Sequence, residues 1–149
     1  MAVNFRQLDC APEDVFRVLA DGWLYPSWVV GASRIRSVDG SWPSEGTRIH
    51  HSFGVWPAVI DDTTTVLEWD PPRRAVFKAR GWPVMGEAEV MIDVEPRNGG
   101  SLVRIEEDAT AGPGRMVPRP IRSAGIRYRN RETLQRLAHI AEGMGGGAR

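Results

Sequence analysis

The spacing of hydrophobic and polar positions changes along this chain from strand-like to helical, back to strand-like, and finally to helical again. Residues 2–9 alternate weakly, with Val3, Phe5 and Leu8 at the apolar positions, and predict a strand. Ala11-Pro12-Glu13-Asp14 then places a proline in a first helical turn and two acids beside the positive end of the helix dipole. Val15, Phe16, Leu19 and Ala20 supply the apolar face of that short helix, and Gly22 stops it. Trp23 to Val30 predicts a second short helical piece, kinked at Pro26. From Ala32 the period is two. Strand-like runs at 32–38, 46–55, 58–69, 74–82, 85–95 and 101–110 are separated by the turn signals Asp39-Gly40, Trp56-Pro57, Asp70-Pro71-Pro72 and Asn98-Gly99-Gly100. Six consecutive strands joined by short turns predict an antiparallel meander.

After a Gly- and Pro-containing loop, Ala111 to Pro118, the helical period returns and holds from about Arg119 to Gly143. Leu134, Leu137, Ala138, Ala141 and Met144 form a tight apolar stripe. Stepping back toward the N-terminus by threes and fours, the stripe lands on Asn130, Ile126, Ser123 and Arg119 and becomes polar. Either that half faces a wet or ligand-filled cavity, with Asn130 and Ser123 orienting a ligand, or Gly125 breaks the helix and Ile121, Ala124 and Tyr128 pack in another phase. A glycine inside a helix also suggests a close approach at Gly125. Residues 1–142 read as a single domain and 143–149 as a flexible Gly-rich tail. The expected fold is α+β: a seven-stranded curved antiparallel sheet around a long C-terminal helix, with two short helices between strands 1 and 2.

The chain's 149 residues, 42% hydrophobic and 26% charged, suit one globular domain that buries a core without disulfides or a structural metal. A single cysteine, Cys10, excludes an internal disulfide. No apolar run reaches the length of a membrane span and the start lacks the apolar region of a signal peptide, so a cytoplasmic, bacterial-type protein without integral membrane contact is expected. Charge balances at zero overall, yet seven arginines face one acid between Arg115 and Arg136. These arginines spread over several helix faces with no ladder of aromatics, so nucleic acid is not the expected partner. Arginine also outnumbers lysine eighteen to one, which fits a GC-rich genome better than a site.

Five stretches stand out along this order of elements: Ala11-Pro12-Glu13-Asp14-Val15-Phe16, Tyr25-Pro26-Ser27-Trp28, Val66-Leu67-Glu68-Trp69-Asp70-Pro71-Pro72-Arg73-Arg74, Val103-Arg104-Ile105-Glu106-Glu107, and Asn130 with Thr133-Leu134-Gln135-Arg136-Leu137. Through them the chain resembles the helix-grip fold of the START-like, or SRPBCC, superfamily, and within it the polyketide cyclase/dehydrase-like branch. The resemblance implies a cavity between sheet and long helix that holds a hydrophobic small molecule, and a core position for Trp28. It implies no particular chemistry, since the superfamily spans lipid carriers, cyclases and receptors without a shared catalytic signature.

Strand alternation nominates the lining. The inward sets are Thr47, Ile49, His51 and Phe53; Phe77 and Ala79; Ala88, Val90 and Ile92; and Ile105 with Glu107. With Ser123, Ile126 and Asn130 from the helix, these, apart from Thr47, are the candidate ligand-binding residues. His51 and Glu107 are the ionisable members and the candidates for acid–base catalysis, or else polar lining. Adjacent His50 and His51 point to opposite faces of a strand and cannot share a metal, so neither a metal nor a cofactor is expected. Trp42-Pro43, Trp56-Pro57 and Trp82-Pro83 are expected at the cavity rim, and Trp23 as a surface anchor. The expected function is binding of a lipid-like or aromatic, polyketide-like molecule by a monomer or weak homodimer, the alternative being a cyclase/dehydrase-type enzyme using His51 and Glu107.

Overall fold

A computed structural model describes residues 2–29, 32–55, 58–81, 86–111, 116 and 118–147. The elements run β1 (Ala2–Leu8), α1 (Pro12–Ala20), a 3-10 turn (Gly22–Leu24), α2 (Tyr25–Trp28), β2 (Ala32–Val38), β3 (Arg48–Val55), β4 (Ala58–Asp70), β5 (Arg74–Gly81), β6 (Gly86–Arg97), β7 (Gly100–Ala111) and α3 (Arg119–Gly147). All seven strands join one antiparallel curved sheet in the order β1-β7-β6-β5-β4-β3-β2. The meander is thus closed at one edge by β1, which pairs with β7 from Ala2 opposite Glu107 to Leu8 opposite Ser101.

Local chemistry explains the boundaries. Asp14 accepts a hydrogen bond from the Ala11 backbone N–H at 3.2 Å, fixing the first turn of α1. Pro26 sits in the first turn of α2, where its missing N–H costs nothing, so it opens a one-turn helix instead of kinking a longer one. The β6–β7 hairpin turns through Asn98 and Gly99, both at positive φ, as a two-residue turn requires. α3 continues past Gly143 to Gly147, where the pattern predicts a tail; Met144 packs on the core and carries the helix across that boundary.

The core fills one end of the concave face. Leu134, Leu137, Ala138 and Ala141 of α3 pack with Val15 and Leu19 of α1 and with Ile49, Phe77, Ile92 and Ile105 of the sheet. Trp28 is buried among them as expected. Trp42 belongs here too and not at a rim: it stacks on Phe77 with ring centroids 5.9 Å apart. Trp56, Pro57, Trp82 and Pro83 fall outside the described residues. Phe5 stands on the convex face, largely exposed, with the Arg104 guanidinium 6.0 Å from its ring.

Two glycines predict opposite outcomes. A Cβ on Gly100 would lie 2.0 Å from the Leu8 carbonyl oxygen, whereas one on Gly125 would meet nothing within 4 Å, so no close approach explains Gly125. Gly100→Ala should therefore push β1 off β7 and destabilise by about 2 kcal/mol or more. Gly125→Ala should stabilise by up to about 1 kcal/mol. Thermal denaturation of the two variants checks the signs.

Candidate functional site

At the other end of the concave face the inner positions turn polar. β3 presents Thr47, Ile49 and His51 inward, all buried, while His50 points outward toward Asp39 at 3.7 Å. Cross-strand register sets Ile49 opposite Thr64 and His51 opposite Asp62 on β4. Strand β4 therefore adds two inward polar groups beside His51.

Thr64 Oγ1 lies 2.8 Å from the Tyr25 hydroxyl and 2.9 Å from His51 Nε2, linking α2 to the sheet. The Tyr25 and His51 rings stack at 4.9 Å, and Trp28 packs edge-on against Tyr25 at 5.4 Å. Only one proton sits on the Thr64 hydroxyl. If it goes to His51 Nε2, the ring carries its proton on Nδ1. If His51 Nε2 donates instead, Nδ1 is an acceptor and the Thr64 proton is left for Tyr25. Nδ1 has only the Ser52 backbone beside it, a contact too poorly aligned to be a full hydrogen bond, and no other partner among the described residues, although His51 is only 1% exposed.

Burial sets the charge state. It pushes the His51 imidazole down to about 4, with the Arg36 and His50 charges adding to the effect and the Ser52 backbone opposing it. It pushes the Tyr25 phenol up to about 12 against the hydrogen bond to Thr64 and the Arg129 charge. It raises the Asp62 carboxyl to about 6, opposed by backbone hydrogen bonds at Thr63 and Arg80 and by the Arg80 and Arg36 charges. At neutral pH the Tyr25–Thr64–His51 bridge is therefore uncharged.

Glu107 faces inward from β7 with 4% exposure, and Arg129 of α3 forms its ion pair. No hydrogen bond joins His51 to Glu107; each ends on its own partner. Immediately after Arg129 on α3, Asn130 is 1% exposed and its Nδ2 has no partner among the described residues. Ser123 is buried on the same face and Ile126 half-buried. The helix is thus continuous and its polar half turns inward, while Ile121, Ala124 and Tyr128 are exposed instead of packing in a second phase.

Of the sequence-nominated lining, Ile49, Phe77, Ile92 and Ile105 are filled core. Ala79, Ala88, Val90 and Ile126 keep partial exposure despite facing inward, and His51, Glu107, Ser123 and Asn130 lie at the polar end. The Phe53 side chain falls outside those described. Sequence reading missed Tyr25, Thr64, Asp62 and Arg129. The alternation of β4 could have found Asp62 and Thr64; Tyr25 and Arg129 carry no pattern that separates them from surface residues.

Two grooves elsewhere are open and charged: one of about 430 Å³ on the convex face near Phe5, Arg73 and Arg104, and one of about 410 Å³ between Arg6, Ser27, Glu132 and His139. Among the described residues no three His, Cys, Asp or Glu side chains gather to hold a metal ion. No described helix is long and apolar enough to cross a membrane.

Compared with known proteins, residues 3–142 match the family described as polyketide cyclase / dehydrase and lipid transport. The fold is similar to that of protein NE0264 from Nitrosomonas europaea, with a TM-score of 0.72 at 16% identity over 95% of this chain and 94% of that one. It is similar to Ara h 8.0201, at 0.71 and 12% over 93% of this chain and 95% of that one. It also resembles the di-domain ARO/CYC StfQ from the steffimycin biosynthetic pathway, at 0.73 and 13% over 97% of this chain and 51% of that one. At such identities the likeness is one of fold. No curated protein matches the sequence.

The two titrating neighbours give opposed pH dependence. His51 titrates at about 4 when folded against an ordinary 6.5, so as pH falls through that window the unfolded chain gains a proton the folded one refuses, and stability drops. Asp62 titrates at about 6 against 3.8, so across that window the folded chain keeps a proton the unfolded one has lost, and stability rises as pH falls. Each amounts to about 3 kcal/mol at about 1.4 kcal/mol per pH unit. Relative to the unsubstituted protein, His51→Gln should gain stability between pH 6.5 and 4, and Asp62→Asn should lose it. Urea unfolding at pH 4.5 and 7 measures both; pH profiles parallel to the parent's would contradict the assignment.

Proposed function

We propose, from the premise that the chain belongs to the polyketide cyclase / dehydrase and lipid transport family, that it binds one hydrophobic small molecule, lipid-like or aromatic, in the interior between α3 and the sheet. The carrying observation is Asn130 Nδ2, a buried polar atom with no partner among the described residues, on the same inner side as His51. A buried polar atom without a hydrogen bond costs about 1–3 kcal/mol, so it is a place where a ligand oxygen gains what folding leaves unmade. The apolar part of the ligand lies against Ala79, Ala88, Val90 and Ile126, the inward residues that packing leaves partly uncovered.

The chemistry favours a neutral polar group on that ligand. The Tyr25–Thr64–His51 bridge is uncharged at pH 7, and the nearby pair of Glu107 with Arg129 is internally balanced. A ligand carboxylate would lose its hydration beside Asp62 and Glu107, with the Arg129 charge already committed to Glu107. A hydroxyl or ketone loses far less.

Binding is the better-supported reading than acid–base catalysis. An imidazole titrating at about 4 is a weak base at neutral pH, and Glu107 is engaged by Arg129. Removing Arg129 strands a buried carboxylate, so Arg129→Ala should destabilise the fold by about 3 kcal/mol; Glu107→Gln should do less harm because the arginine can turn to solvent.

The test is titration with the neutral fluorescent probe N-phenyl-1-naphthylamine, followed by displacement with long-chain alcohols and ketones. Ala88→Phe should weaken probe binding at least tenfold by filling the space. Asn130→Leu and His51→Ala should weaken the alcohols several-fold while leaving the hydrocarbon-like probe unaffected. No saturable binding, or an Ala88→Phe variant equal to the parent, would end the proposal. A substrate turned over and slowed more than a hundredfold by Glu107→Gln would replace it with the cyclase reading.

A further inference from the structure

The N-terminal half of α3 carries its apolar side chains on the wrong face for a core. Ile121 is 65% exposed and Tyr128 79%, with Ala124 and Gly125 exposed between them and Met116, at 87%, just ahead of the helix. At 100° per residue Ile121, Ala124, Gly125 and Tyr128 form one outward crest about two turns long, opposite the inward Ser123 and Asn130. Arg127 and Arg131 stand exposed along its flank. Residues 115–131 hold six arginines and no acid, in a chain whose net charge is zero. Of these, Arg129 is turned to Glu107.

We propose that this crest docks the protein on an anionic lipid surface. The occupant follows from the pairing of chemistries. Isolated Ile, Tyr and Met tips gain most at the boundary between headgroups and acyl chains, and flanking guanidinium groups gain most beside anionic headgroups. A nucleic acid would satisfy the arginines but not Ile121 or Met116. A second copy of this face would set arginine against arginine. The nearest acid, Glu132, is paired with Arg136 at 3.3 Å, and with a screening length of about 10 Å at 0.1 M salt, acids farther along the chain do not cancel the local positive field.

Docking lays the outward face of α3 on the surface while its inward face remains over the interior site, so the two roles do not compete for residues. The inference stands on this face alone and holds whether or not the interior binds a ligand.

Co-sedimentation with phosphatidylcholine vesicles containing phosphatidylglycerol, against pure phosphatidylcholine, tests it. Binding to the anionic vesicles only is expected. It should fall about fivefold for each of Arg127→Ala and Arg131→Ala, at least tenfold in I121E/Y128E, and steadily with added salt. Circular dichroism and thermal unfolding of the variants confirm that these exposed positions leave the fold intact. Absence of anionic-vesicle binding would overturn the proposal. So would I121E/Y128E binding as the parent does, or tighter retention on single-stranded DNA that ignores I121E/Y128E. A solution dimer split by Ile121→Glu would assign the crest to self-association instead.

Discussion

One helix has to cover seven strands. With strands about 4.8 Å apart the sheet is about 29 Å wide, while a helix with its side chains is only about 10 Å across. A flat sheet would leave most of its inner face bare, so the sheet curls. α3 lies against β1, β7, α1 and α2, and what fills the remaining concavity is decided locally by side chains. At the C-terminal end of α3 the filling is apolar and complete, from Leu134 through Ala141 against α1 and the strands. At the N-terminal end it is a bridge of polar groups, Tyr25, Thr64 and His51, with Glu107 and Arg129 nearby. The interior is therefore two environments stacked along one helix.

The polar end is tolerable because its charges are few and matched. Burial alone would make a free imidazolium or phenolate there very unfavourable, and the pKa shifts of His51 and Tyr25 record that the groups respond by staying neutral. Glu107 is matched by Arg129, which turns inward from the helix flank to pair with it. Asp62 sits between these cases, buried but served by backbone hydrogen bonds and arginine charges, so its carboxyl is raised yet still ionises near neutrality. The result is an inner end richer in neutral hydrogen-bonding groups than in charges.

How much of this the sequence discloses follows from which signals are periodic. The strands were legible because Ala88, Val90, Ile92 and Val94 alternate with charged residues, and the same alternation put His51 and Glu107 on the inner face, where they lie. α2 was misjudged because Pro26 is ambiguous between opening a helix and kinking one, and only the surrounding fold decides. The cavity list mixed core with lining for a related reason. Alternation says which face a residue is on and nothing about what stands opposite; Ile49 and Ile105 meet α1 and α3 side chains, while Ala88 and Val90, on the same face, do not meet enough of them to be covered. Tyr25 and Arg129 reach the site from outside any strand pattern, through tertiary contact alone.

The phase ambiguity of α3 has the same root and leads further. Read outward from Leu137, the stripe that must face the sheet arrives at Ser123 and Asn130, while Ile121 and Tyr128 fall on the solvent side. A helix selected for packing alone would exchange these sets, because burying Ile121 and exposing Asn130 favours folding on both counts. Its second half obeys that rule and its first half inverts it within the same unbroken helix. The inversion leaves polar groups under the helix and apolar tips above it, which is the arrangement that both the interior-binding and the surface-docking proposals draw on. The stable C-terminal half, locked by Leu134, Leu137 and Ala141, is what lets the other half carry residues that do not contribute to its own packing.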